Sequence, residues 1–279
     1  MAKKVTIGDA ELWLGDCREV LPAIAEQVDM VFTSPPYNLG NTHGPCAAGG
    51  SKTGHYSSAA GMRQRGGGGK WGGGQLADGY GLHDDAMPHD EYVAWQREVL
   101  RLCWERLTDR GAIYYNHKPR VLDGELLTPL TYNPGLPLRQ IVIWARAGGV
   151  NFSPSFYLPT HEWIAIFAKA DWRLRDKSAS GVGDVWYVPQ QSGTEHPAPF
   201  PVALPARALE TTPATSVLDP FMGSGSVGVA AVAAGRRFIG IELEPRWFDL
   251  ACERIEDAHR QGSLLPPPKL EAAQQQLVL

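Results

Sequence analysis

The stretch VFTSPPYNLG, Val31 to Gly40, ends an apolar run on a serine, two prolines and a tyrosine. Proline has no N–H to give a ladder, so a strand entering here must stop at Pro35. The stop leaves a compact set of groups at the strand end. The Ser34 hydroxyl and the Pro35 carbonyl can each accept a hydrogen bond, Pro36 stiffens the turn, and Tyr37 offers a ring face. Taken alone, the pentapeptide is equally a strand-terminating turn with a surface tyrosine.

A second constellation lies near the other end of the chain. In DPFMGSGSVGVAA an apolar strand stops at Asp219, and Pro220 and Phe221 lead into a turn at Gly223 and Gly225. Glycines there let backbone approach a ligand closely, and the small residues after them permit tight helix packing. The next apolar run, FIGIE, ends at Glu242, where a carboxylate can accept from two ribose hydroxyls. The turn is led by an acid rather than spelled G-x-G-x-x-G. An anion beside Asp219 suits an amino group or a sulfonium better than a pyrophosphate. S-adenosylmethionine carries both cations.

Elements that could hold these groups alternate along the chain. AELWLGD reads as a strand and turn, CREVLPAIAEQ as a helix, and DMVFTSPPY as a strand entering a loop. HDEYVAWQREVLRLCWERL has Tyr92, Trp95, Val99, Leu102 and Leu107 at helical spacing, with Asp90 as its expected N-cap. GAIYYN, RQIVIWAR and EWIAIFAK are strand-like, and PFPVALPARALE and PRWFDLACERIEDAHRQ are helical. The reading is α/β with a mostly parallel sheet flanked by helices. Residues 1–262 form one domain, interrupted by a Gly-rich loop over 38–81 that is expected to be mobile. A polar, irregular segment covers 169–196, and 263–279 is a weakly ordered tail.

DPFMGSGSV followed by FIGIELEPRWFDLACERI resembles the cofactor motifs of the amino-group DNA methyltransferases, and TSPPY matches their catalytic (D/N/S)-PP-(Y/F/W) motif. The order, catalytic motif first and cofactor motif last, is similar to the β group of that family, covering most of residues 10–258. The resemblance implies a Rossmann-like S-adenosylmethionine-dependent fold with circularly permuted motifs. It implies methylation of an exocyclic amine in double-stranded DNA, on a base flipped from the duplex. Ser34, Pro35, Pro36 and Tyr37 become the catalytic set. Asp16, Asp219, Pro220, Phe221, Gly223, Gly225 and Glu242 become the cofactor set, Asp16 accepting from the adenine amino group while also suiting a helix cap. A serine in the first motif position is typical of N4-cytosine enzymes, with N6-adenine as the alternative; transfer to RNA or a protein amide is a further reading. His196 stands where the family often has a lysine.

DNA contacts are expected from two places. Asn38 to Ala77 holds no acid but includes Arg63, Arg65 and Lys70, with Trp71 able to stack or wedge. Arg173 and Arg175 lie in KADWRLRDK, where the family carries target recognition. A homodimer and a cognate restriction endonuclease are compatible with this reading. The whole-chain charge of −4 hides the basic loop. The four cysteines form no CxxC pair, so reduced thiols in the cytoplasm are expected and a metal site is not. Methylating a ring carbon would need a thiolate. Cys46 lies in the Gly-rich loop, and Cys17, Cys103 and Cys252 read as packing residues of helices.

Overall fold

A computed structural model of the chain describes residues 3–38, 82–122, 124–146, 154–190 and 201–262. The elements are β1 (Lys3–Ile7), β2 (Ala10–Leu14), α1 (Cys17–Ala23), β3 (Val28–Thr33), α2 (His89–Glu105), β4 (Leu107–His117), β5 (Arg120–Leu122), β6 (Glu125–Leu127), β7 (Leu138–Ala145), β8 (His161–Ala168), α3 (Lys177–Ser180), β9 (Val185–Tyr187), α4 (Ala203–Thr211), β10 (Ser216–Asp219), α5 (Ser226–Ala233), β11 (Arg237–Glu242) and α6 (Pro245–Gly262). Nine strands form one sheet in the order β1-β2-β11-β10-β3-β4-β8-β7-β9. From β2 to β4 all neighbours are parallel. β8 runs antiparallel to both β4 and β7.

The inner strands are buried on both faces, so they read as near-continuous apolar runs. Side chains still alternate. Met30 and Phe32 of β3 join a core with α4, α5 and α6, while Val31 joins the opposite core with α1 and α2. β4 splits likewise, Ala112 and Tyr114 to one side, Ile113 and Tyr115 to the other. This layering brings the C-terminal ends of β2, β11, β10, β3 and β4 to one edge. Ligands of such sheets bind at that edge.

Several details depart from the sequence reading. The N-terminal KKVTI forms β1, an antiparallel edge strand on β2. Pro88, not Asp90, precedes the first turn of α2 and makes no side-chain cap; Asp90 and Glu91 act there on the helix dipole. The segment read as irregular contains α3 and β9, with Trp172 and Trp186 buried. The Gly-rich loop, apart from Asn38, and the tail lie outside the described residues. No helix among the described residues is long and apolar enough to cross a membrane.

Candidate active site

At the C-terminal edge of the parallel strands lies a cleft of about 550 Å³. Ser34, Pro35, Pro36 and Tyr37 line it, as do Asp16, Pro220, Phe221, Gly223 and Glu242. The two motifs, some 185 residues apart in sequence, therefore face one cavity because β10 and β3 are neighbours in the sheet.

On the cofactor side, β11 delivers Glu242. Its Oε2 accepts from Gly223 N–H at 2.7 Å and its Oε1 from Glu244 N–H at 2.9 Å, fixing the carboxylate in the cleft floor. Gly223 adopts φ 52° to make that approach. Gly225 does not line the cleft. It takes φ 83° at the start of α5, and a Cβ there would come within 3.1 Å of Ala251, so it serves the turn and the packing of α6. Asp219 is fully buried just behind the lining. Its Oδ1 accepts from Thr33 Oγ1 at 2.8 Å and Phe221 N–H at 3.0 Å, while Oδ2 meets no hydrogen-bond partner among the described residues. Burial pushes both carboxyls up to about 7, against the backbone and hydroxyl donors that hold them ionised. Asp16 caps α1 through Arg18 N–H at 2.8 Å and pairs with the Arg18 guanidinium at 2.7 Å. Burial raises its carboxyl, but the Arg18 bonds outweigh that and leave it below the ordinary range.

Aromatic residues complete this half. Trp95, at helical spacing with the inward residues of α2, packs against the core and also lines the cleft, 5.3 Å from the Phe221 ring and 4.8 Å from His83. Burial lowers His83 to about 4, so it stays neutral at pH 7.

On the catalytic side, β3 stops where expected and the turn is pinned from several directions. Tyr92 Oη reaches the Pro36 carbonyl at 2.5 Å, and Arg120 donates to the Tyr37 carbonyl at 3.1 Å. The Tyr37 ring is backed by His117, centroids 4.5 Å apart. Burial drops His117 to about 3, so a neutral ring backs it. The Tyr37 hydroxyl donates to Glu162 at 2.8 Å, and Asn116 Nδ2 lies 2.9 Å from Tyr37 Oη and 3.2 Å from Ser34 Oγ. Thr33, Asn116 and Glu162 escaped the sequence reading. A lone acid and an amide at the ends of apolar strands were the available signals.

Arg173 and Arg175 do not line the cleft. Because β8 is antiparallel, its exit at Ala168 pairs with Ala112, whereas Trp163 pairs with His117 at the cleft end. Five residues separate these rungs, about 17 Å along a strand, so KADWRLRDK leaves from the far edge. Arg173 there donates to the Ala170 and Trp172 carbonyls, and Arg175 pairs with Asp176 at 2.9 Å. Both therefore lie away from the cleft, and β9 returns the chain to the cleft edge. Arg63, Arg65, Lys70, Trp71, Cys46 and His196 lie outside the described residues. Cys17 and Cys103 are buried with thiols raised by burial, and Cys252 is half-buried and also raised. Among the described residues no cluster could hold a metal ion.

The family model described as DNA methylase, of N6/N4 type, matches residues 28–253. The type II methyltransferase M.BglII of Bacillus subtilis is 25% identical over 298 aligned positions, 92% of this chain and 71% of that protein. Its counterpart M.BglI, also of Bacillus subtilis, matches a shorter stretch at 43% over 75 residues, 26% of this chain and 22% of its own. Among solved structures, the cytosine-N4-specific PvuII DNA methyltransferase superposes with a TM-score of 0.63 at 18% identity, covering 92% of this chain and 93% of that one. A protein of Thermus thermophilus described as a DNA modification methylase, complexed with S-adenosyl-L-methionine, gives 0.57 at 22%, covering 88% and 92%. At these identities the structural matches speak for the fold.

Proposed function

Because the chain belongs to the DNA methylase family of N6/N4 type, we propose that it methylates the exocyclic N4 amine of cytosine in double-stranded DNA, using S-adenosylmethionine. The observation that carries this reading is the convergence of the Ser34–Tyr37 turn and the Glu242 strand end on one cleft. The cleft residues fit the cofactor. Glu242 offers acceptors to ribose hydroxyls, Asp16 an acceptor at the adenine end, and Phe221 and Trp95 an apolar wall. The buried, half-satisfied Asp219 contributes negative charge behind the cation. Bound there, S-adenosylmethionine supplies an electrophilic methyl group on a sulfonium.

The chain's own work is to prepare the nucleophile. An exocyclic amine is conjugated into its ring and donates its lone pair poorly. Ser34 Oγ and the Pro35 carbonyl accept its hydrogens and draw the nitrogen towards tetrahedral geometry, freeing the lone pair. The Pro36 and Tyr37 carbonyls are already engaged, by Tyr92 and Arg120, so the turn holds its shape as the base arrives. Tyr37 stacks on the flipped base. Positioning of this kind is worth up to about 7–11 kcal/mol in barrier. None of the described cysteines offers a thiolate, since each is raised and buried or half-buried.

The cytosine assignment is supported by the resemblance, in which a serine in the first motif position is typical of N4-cytosine enzymes; both exocyclic amines could use the same acceptors. The type II designation of the relatives extends the proposal to a modification enzyme paired with a restriction endonuclease. Duplex DNA incubated with protein and labelled cofactor, then digested to nucleosides, should yield N4-methyldeoxycytidine by mass. N6-methyldeoxyadenosine would replace the base assignment, and no methylated nucleoside would overturn the reading. Ser34→Ala and Tyr37→Ala should each cut labelling by about 10²-fold or more while cofactor binding persists. Unchanged turnover would refute the catalytic set.

A further inference from the structure

Behind the catalytic turn sits a buried polar cluster that amine methylation, as described so far, leaves without a task. Glu162, at the start of β8, is 6% exposed. It faces Tyr37 from the turn after β3, Asn116 and Lys118 from the end of β4, and Arg146 from the end of β7. Arg146 Nε pairs with Glu162 Oε1 at 3.3 Å, and Glu162 Oε2 accepts from Tyr37 and Asn116.

That fixes the direction of the two hydroxyl protons in the cluster. The Tyr37 hydroxyl has one hydrogen and gives it to Glu162 Oε2 at 2.8 Å. Ser34 Oγ and Tyr37 Oη are 2.9 Å apart, and with the tyrosine proton committed, the serine must be the donor. Asn116 supplies N–H to the same oxygens, within 2.9 to 3.2 Å. The Ser34 hydrogen is thereby turned away from the cleft, and a lone pair of Oγ is left for an incoming amine. Chains of hydrogen bonds that end on a charge polarise one another, so the serine is a stronger acceptor than an isolated hydroxyl.

We propose that Glu162 is a positioning residue that acts through Tyr37 to orient Ser34, and that this chain receives the proton the amine must lose. A nitrogen that has accepted a methyl group carries one proton too many. That N–H breaks as its proton passes to Ser34 Oγ, the serine proton passes to Tyr37 Oη, and the tyrosine proton to Glu162. The amine regains its lone pair and neutrality, both hydroxyls are restored, and Glu162 becomes a neutral acid until it loses the proton to water as the cleft reopens. The inference rests on the function proposed above.

The test separates Tyr37's ring from its hydroxyl. Tyr37→Phe keeps the ring, so 2-aminopurine placed at the target position should brighten on binding as with wild type, in the absence of cofactor. KM for DNA should stay within about threefold while kcat falls about 10- to 100-fold, the lower part of the range for a proton-transfer group. Glu162→Gln should give a similar kcat loss, and the double variant no more than either single one. A kcat within twofold of wild type for Tyr37→Phe, or losses that multiply in the double variant, would overturn the relay. If Glu162→Gln does not fold, Tyr37→Phe alone decides by its kcat and fluorescence. Wild-type labelling of DNA in the same assay stands as the separate check. Its absence overturns the proposed function and the relay together, whereas labelling with an unaffected Tyr37→Phe overturns the relay only.

Discussion

Thr33→Val probes the buried side-chain bond that ties β3 to β10 at the cleft end. Thr33 is 1% exposed and Asp219 0%, and their 2.8 Å hydrogen bond has no water to replace it. Valine matches threonine in shape, so the substitution removes the donor and little else. Asp219 would keep only the Phe221 N–H. Burial already holds the carboxyl at about 7, far above its ordinary 3.8, and losing the Thr33 donor moves it higher. A folded-state value above the unfolded one means that the native protein keeps its proton longer. Between about pH 4 and 7 this group therefore lowers stability as pH rises, by up to about 1.4 kcal/mol per unit, and the decline ends once the native carboxyl ionises. In the variant that decline runs to higher pH. At pH 5.5 the lost bond is one to a neutral acid, about 1 kcal/mol; at pH 8.5 it is one to a carboxylate, about 2 kcal/mol or more. Urea unfolding of both proteins without cofactor, at the two pH values, measures the difference. Glu242 titrates in the same range but in both proteins, so it cancels. A loss that is equal at both pH values, or smaller at pH 8.5, refutes the buried, partly uncompensated carboxylate.

Two further outcomes test the packing and the thiols. In Gly228→Ala the new Cβ would stand 2.4 Å from Ile255 Cδ1 and 2.6 Å from Phe238 Cε1, both in the closed core between α5, α6 and the sheet. Overpacking costs about 1–3 kcal/mol, which outweighs the gain of about 1 kcal/mol from replacing a helical glycine, so the melting temperature should fall; an unchanged or raised one would show that the interface can yield. Cys17 and Cys103 should resist iodoacetamide at pH 8 until the protein is unfolded, because burial raises both thiols. Mass analysis showing native alkylation at either would contradict their burial.

The fold was legible wherever an apolar run was punctuated by something with a physical meaning. Asp219, Glu242 and the Ser34–Pro35 stop each end a strand at the cleft edge, and each was readable because a polar group after a doubly buried strand has few other uses. β1 and β9 were not, since KKVTI and VWY are short, lie at the sheet's two edges and show no long pattern. The direction of β8 was also hidden. Periodicity identifies a strand without saying which way it runs, and that direction alone sends Arg173 and Arg175 to the edge away from the cleft. Trp95 illustrates a related limit. Its helical spacing says that it faces inward, but not that the inward side at that turn of α2 is the wall of the cleft as well as the edge of the core.

The polar cluster around Tyr37 was the least legible part because its bonds cross the chain. Glu162 is 125 positions from Tyr37 and Asn116 is 79, and neither has a local partner to betray it. Yet HEWIAIFA does contain a usable sign. A single carboxylate on a strand whose following residues are almost all buried must be either exposed at a rim or paired inside, because burying an uncompensated charge costs several kcal/mol. Its place at the first turn of the strand allows both. What decides is Tyr37: with its ring against the base, as proposed, its hydroxyl points away, into protein, and there it needs an acceptor. Tyr37 thus demands a partner such as Glu162, and Glu162 in turn dictates which way the Ser34 hydrogen faces.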